Sequence, residues 1–137
     1  MVREKSCGAV VYKRINGGEY HFLLEEMTFG HISMPKGHVE AAESEADTAL
    51  REIKEETNLD VVLDTGFRHT ITYCPCEGHI KDVVYFVAEA KSDKALMPQE
   101  CEVRSLVWKN FQEAKELLTY DLEKQILEAA YNYLLNG

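Results

Sequence analysis

The chain has 137 residues, a formal net charge of −9, and is 45% hydrophobic and 28% charged, which suits one domain spanning residues 1–137 and burying about two thirds of its unfolded surface. No apolar run approaches the roughly 20 residues that a bilayer span needs, and the acidic balance argues against wrapping long nucleic acid, which depends on basic stripes that displace counterions. The N-terminus carries no apolar leader, and Cys7, Cys74, Cys76 and Cys101 lack CxxC spacing, so reduced, incidental thiols in a cytoplasmic protein are expected.

Ser6–Arg14 reads as a strand, Asn16-Gly17-Gly18 as a positive-φ hairpin turn, and 20–25 as the partner strand. A glycine- and proline-punctuated loop follows over 29–38, in which Pro35 forces Met34 to be extended and Gly37 allows a tight backbone course. Ser44, with Asp47 three residues on, caps a helix that runs to about Thr57, where Asn58 takes a left-handed C-cap. Its apolar positions Ala46, Ala49, Leu50 and Ile53 have helical spacing. Strands are expected over 61–63, 67–73, 83–90 and 103–108. Two helices, 111–118 capped by Asn110 and 121–135 capped by Asp121, close the chain with a leucine-rich face that covers the sheet rather than recruiting a partner. The order is that of a mixed α+β layered domain.

The acids are concentrated in one place. Between Glu40 and Asp60 eight of them stand against Arg51 and Lys54, for a local net charge of −6. At about 100° per residue, Glu45, Glu52, Glu55 and Glu56 share an arc of roughly 100° on the helix. A solvated acidic face is the bland reading. The alternative is a cation site, because hard ions such as Mg²⁺ take oxygen ligands from a few carboxylates and substrate phosphates, and Gly37 just upstream can bring backbone to the same ion. Arg51, inside the cluster, can hold carboxylates in one geometry by bidentate bonding.

Read together, Gly37, Glu43 and Arg51-Glu52-Ile53-Lys54-Glu55-Glu56-Thr57-Asn58-Leu59 resemble the Nudix box, GX5EX7REUXEEXGU, at every specified position except the late glycine, which is Asn58. Asparagine tolerates the left-handed conformation well. The resemblance implies the Nudix fold, a mixed, curled sheet sandwiched between helices (α/β/α), and metal-dependent hydrolysis of a nucleotide phosphoanhydride with Mg²⁺, or Mn²⁺ in its place. By motif position it implies Glu52, Glu55, Glu56 and the Gly37 carbonyl as metal ligands, with Glu43 in support and Arg51 orienting the carboxylates.

Outside the box, Ser6-Cys7-Gly8-Ala9-Val10-Val11 and Pro35-Lys36-Gly37-His38-Val39-Glu40 are similar to the asymmetric diadenosine tetraphosphate hydrolases of this family. That similarity implies cleavage of diadenosine tetraphosphate to ATP and AMP. It places Lys36, His38 and Lys81 on phosphates, Tyr73 in a stack on adenine, and Tyr85 along the same pocket, although strand aromatics are otherwise usually packing residues. Relatives often supply another glutamate before the last strand, as metal ligand or water-activating base; of Glu100 and Glu102, Glu102 is the choice, against an ordinary exposed loop acid. His31 stands where relatives carry an aromatic, which leaves one wall of the base pocket open to question. Other readings are removal of pyrophosphate from RNA 5′ ends, hydrolysis of a nucleotide sugar or ADP-ribose, or nucleotide sensing without turnover. A monomer acting on nucleotide polyphosphates, with no membrane partner, is the expected form.

Overall fold

Strand β1 (Val2–Ile15) shows in miniature how the molecule is layered: Cys7, Ala9 and Val11 are buried toward one face and Val10 toward the other. The computed structural model describes residues 1–91, 96–98 and 102–137. After β1 come β2 (Glu19–Met27), β3 (Ile32–Ser33), β4 (Lys36–His38), α1 (Glu45–Thr57), β5 (Val61–Tyr73), β6 (His79–Ala90), β7 (Val103–Asn110), α2 (Phe111–Leu117) and α3 (Asp121–Asn136). β6 lies parallel to β1 over eleven residue pairs, from Val2 with His79 to Tyr12 with Glu89. It repeats the alternation, with Val84, Phe86 and Ala88 on one side and Val83, Tyr85 and Val87 on the other. Burial on both faces explains the continuous apolar runs of these two strands.

The sheet order is β3-β2-β1-β6-β5, with β4 paired to β1 and β7 to β2. β1 therefore divides its second edge: its C-terminal end holds β2, and its N-terminal end holds β4 through Ser6–His38, Cys7–Gly37 and Gly8–Lys36. Ala49 and Ile53 of α1 cover one face of the sheet, while Ala114 of α2, Leu118, and Ile126, Leu127 and Ala130 of α3 cover the other. This is the expected mixed sheet between helices. Among the described residues no helix is long and apolar enough to cross a membrane.

The division of β1 needs a residue without a side chain where β4 arrives. Gly8 is that residue, because a Cβ there would collide with the Pro35 carbonyl oxygen and lie 2.7 Å from the Cα of Lys36. These obstacles are backbone and cannot swing aside, so Gly8→Ala is expected to destabilise by about 1–3 kcal/mol and to lower the midpoint of thermal unfolding.

The structure corrects several sequence expectations. The 29–38 loop contains two short strands. The segments 61–63 and 67–73 form one strand, irregular between Asp64 and His69, where Gly66 N donates to Asp64 Oδ1 (2.8 Å) and a Cβ at Gly66 would stand 2.7 Å from the Tyr133 hydroxyl. Tyr120 rather than Asp121 occupies the N-cap of α3, without a side-chain cap bond. Leu50 of α1 is exposed. Cys101 lies outside the described residues.

Candidate active site

Local capping sets the position of α1. Ser44 Oγ accepts from Asp47 N (3.1 Å), and Asn58 closes the helix at φ 67°, its amide donating to Lys54 O. Glu45, in the first turn, does not join the other acids: Arg68 and Lys5 hold it, and these bonds keep its carboxyl down at about 2.

Arg51 ties the helix to the loop before it. Its Nε and Nη2 donate to both oxygens of Glu43 (2.6 and 3.0 Å), Nη2 also donates to the His38 carbonyl (2.9 Å), and Nη1 donates to Glu52 (2.8 Å) and Glu55 (3.3 Å). Glu43 further accepts from Glu40 N and Thr48 Oγ1, and with Arg51 beside it its carboxyl is held at about 2. Bidentate guanidinium bonding fixes both distance and orientation. Arg51→Ala removes donors from three carboxylates and one carbonyl together, and is expected to cost about 2 kcal/mol, seen as a fall of several degrees in Tm.

Above α1, the turn at Gly37 passes so close that a Cβ there would occupy the place of the Glu52 carboxyl. Lys36 N donates to Glu56 Oε1 (3.1 Å), and Lys36 Nζ to Ser33 Oγ (2.8 Å). These contacts open a cleft of about 760 Å³ whose walls include Glu25, Lys36, Gly37, His38, Glu52 and Glu56, within the range common for small-molecule sites. Tyr73, Lys81, Glu102, His31 and Tyr120 face the same cleft. Tyr73 and Lys81 are cross-strand partners. The rings of His31 and Tyr120 meet at 5.7 Å, so the wall that His31 left open is shared with an aromatic from the start of α3.

The floor is electrostatically costly. Burial raises the Glu52 carboxyl, only partly offset by Arg51, and the charges of Glu55 and Glu102 push the same way. Glu56 is 2% exposed and Glu25 is 1% exposed. Burial and the neighbouring carboxyl drive Glu56 far up, and burial raises Glu25 as well. Like-charged buried carboxyls cannot both ionise cheaply, so the pair retains a proton where an exposed glutamate has lost it. Burial, then Lys36, lowers the Lys81 ammonium, and burial raises the Tyr73 hydroxyl.

Of the residues singled out in the sequence, the cleft gathers Lys36, Gly37, His38, Glu52, Glu56, Tyr73, Lys81 and Glu102. Glu55 and Arg51 stand beside it, joined to Glu52 through the guanidinium. Tyr85 does not reach it: the side chain is completely buried in the core, and its hydroxyl donates to Glu123 Oε2 (3.3 Å). Glu100 lies outside the described residues. The sequence reading missed Glu25 and Glu123. Glu123 lines the cleft from α3 and accepts from Ser33 Oγ (2.8 Å) and Met34 N (3.2 Å), bracing the segment that leads into the turn. Each had a signal: Glu25 falls in step with Leu23 on a buried strand, and Glu123 shares a helical stripe with Ile126, Leu127 and Ala130.

The donor set suits a hard divalent ion. Among the described residues no three His, Cys, Asp or Glu side chains stand in a preassembled ion-binding arrangement, since Arg51 engages Glu52 and Glu55 while Glu56 is engaged with Lys36 N and Glu25. Yet Glu25, Glu52 and Glu56 offer oxygen donors, and among the described residues Glu25 Oε1 receives no hydrogen bond. Its carboxyl abuts that of Glu56, where only a shared proton or a cation can link two acceptors.

Comparison with known proteins shows what the chain resembles. The asymmetrical bis(5'-nucleosyl)-tetraphosphatase of Sus scrofa is 31% identical over 140 residues, covering 95% of each chain. A crystal structure of a C. elegans Ap4A hydrolase binary complex superposes with a TM-score of 0.89 at 26% identity, covering 98% of this chain and 99% of that one. The NUDIX domain of Shewanella oneidensis NrtR complexed with ADP ribose shares the fold at a TM-score of 0.77 and 20% identity, covering 98% of this chain and 90% of that one. The pattern of the NUDIX domain itself matches residues 6–130, and on these grounds the chain belongs to the NUDIX domain family as one of its hydrolases.

Proposed function

We propose that the protein hydrolyses diadenosine tetraphosphate to ATP and AMP with Mg²⁺, for which Mn²⁺ can substitute. The observation that carries this reading is that one cleft is lined both by the carboxyls of Glu52 and Glu56 with the Gly37 turn and by the cations and aromatics Lys36, Lys81, Tyr73 and Tyr120. The names of its relatives point the same way. A bound divalent cation would supply charge neutralisation and an acidified water for attack on phosphorus. Glu52 and Glu56 would hold it, with Glu55 joining when Arg51 yields it. Lys36 and Lys81 would receive phosphate oxygens, and His38 would donate to them from beside the turn. Tyr73 would stack on one adenine and Tyr120 would flank it. Glu102, at the rim, would serve as base toward the attacking water. A monomer in the cytoplasm fits the free thiols of Cys7, Cys74 and Cys76.

Incubation of purified protein with Mg²⁺ and a substrate panel, followed by nucleotide chromatography, tests the assignment. ATP and AMP should appear in equal amounts from diadenosine tetraphosphate; markedly faster cleavage of ADP-ribose or NADH would overturn the substrate. Lys81→Ala should raise KM about tenfold and leave kcat within a few-fold, the pattern of a contact made equally in ground and transition states.

A further inference from the structure

Glu25 is the feature of the cleft that the motif does not account for. It comes from β2, across the floor from α1, and is 1% exposed while still lining the cleft. Its strand fixes the direction: Leu23, two residues earlier, packs with Ala49 and Ile53 under α1, and Phe22 and Leu24 point to the opposite core. Period-two alternation therefore aims Glu25 at the Glu56 end of the helix. There its Oε1 has no donor among the described residues, in a region where Glu52 and Glu56 are also acidic. A buried carboxylate oxygen without a partner is expensive, and an isosteric glutamine would avoid the charge. No ordinary packing role explains an acid at this position.

We propose that Glu25 is a further ligand of the cleft's divalent cation, contributing its unpartnered Oε1 from β2 alongside Glu52 and Glu56 of α1. The ion is then gripped from two elements, sheet and helix, rather than from the loop–helix unit alone. A cation held there would also offset the charge of the two adjoining carboxyls and so relieve the crowding of the floor. This inference rests on reading the cleft as a cation site.

The test is titration of the metal-free protein with Mn²⁺, free ion being read by its paramagnetic resonance signal, with thermal unfolding in parallel. Four proteins are compared: wild type, Glu25→Gln, Glu52→Gln, and Glu40→Gln. Glu40 lines the same cleft from an exposed position, so its variant reports the effect of losing one charge without losing a ligand. Glu25→Gln should weaken Mn²⁺ binding by about tenfold or more, in the range that metal-site partners show. Glu40→Gln should weaken it by no more than about threefold, since exposed charges are screened. The thermal shift produced by saturating Mn²⁺ should shrink in Glu25→Gln. Glu25→Asp, which keeps the charge but withdraws the oxygen by one methylene, should also bind more weakly than wild type, and it gives a second reading if the glutamine variant fails to fold. Binding by Glu25→Gln that matches Glu40→Gln overturns the inference and leaves a proton shared with Glu56 as the account of Glu25. Wild type that binds no Mn²⁺ overturns the cation site itself and the inference with it. Loss of binding in Glu52→Gln with full binding in Glu25→Gln overturns the role of Glu25 alone.

Discussion

Glu56→Gln is expected to lower kcat by about three orders of magnitude or more, with Tm unchanged or slightly raised. At about 1.36 kcal/mol per tenfold, this asks some 4 kcal/mol of one carboxylate, within the several kcal/mol that a bound cation contributes to transition-state charge. The structure explains why the fold should survive. Glutamine keeps a carbonyl oxygen to accept from Lys36 N, as Glu56 does at 3.1 Å, and its amide can donate to the neighbouring Glu25 carboxyl. The substitution therefore supplies permanently the donor that only a retained proton gives this pair of carboxyls. Steady-state kinetics on diadenosine tetraphosphate and a thermal melt of the same preparation separate the two effects. Turnover within about tenfold of wild type, with the melt unchanged, would show that the Glu56 charge is not used, because a ligand lost from the reacting ion cannot be that cheap.

What could be read from the sequence follows from the range of the interactions involved. α1 was legible because its determinants are local: a serine three residues before the amide it caps, an asparagine able to adopt φ 67°, and carboxylates at helical spacing. The Arg51 clamp was legible for the same reason, since Glu43, Glu52 and Glu55 all lie within eight residues of it. Strands β3 and β4, of two and three residues, are too short to show a period. Their place is set by pairing with β2 and β1, which is a tertiary event.

Tyr85 shows the opposite limit. Family resemblance put it in the pocket, whereas its alternation with Val83 and Val87 assigns it to the core beneath α3. The periodic signal was present and pointed the right way. Glu25 and Glu123 required the same step in reverse, treating one acid in a buried register as informative rather than as noise. The meeting of Tyr73 with Lys81 was beyond local reading, because it depends on the irregularity between Asp64 and His69 that resets the β5–β6 register.

Gly37→Ala should separate position from stability most cleanly, losing about a hundredfold or more in kcat for roughly 1 kcal/mol of folding free energy or less. The nearest obstacles to a Cβ at Gly37 are the carboxyl atoms of Glu52, the far end of a flexible side chain. Gly37 also lacks the positive φ that would strain alanine, unlike Gly17 and Gly30. The chain can therefore fold around alanine by turning Glu52 aside, giving up the 2.8 Å bond from Arg51 Nη1. What it loses is the position of that carboxylate in the cleft, and a displacement of about 1 Å is enough for a hundredfold loss. Gly8→Ala makes the contrast, since its obstacle is the backbone of the incoming strand. Coupling supplies the decisive measurement. Glu52→Gln and Gly37→Ala act on the same carboxyl, so the double variant should be little slower than the slower single variant, as groups that work as a unit are non-additive. Fully multiplicative losses would mean that Gly37 acts elsewhere in the cleft and that its closeness to Glu52 has no bearing on turnover.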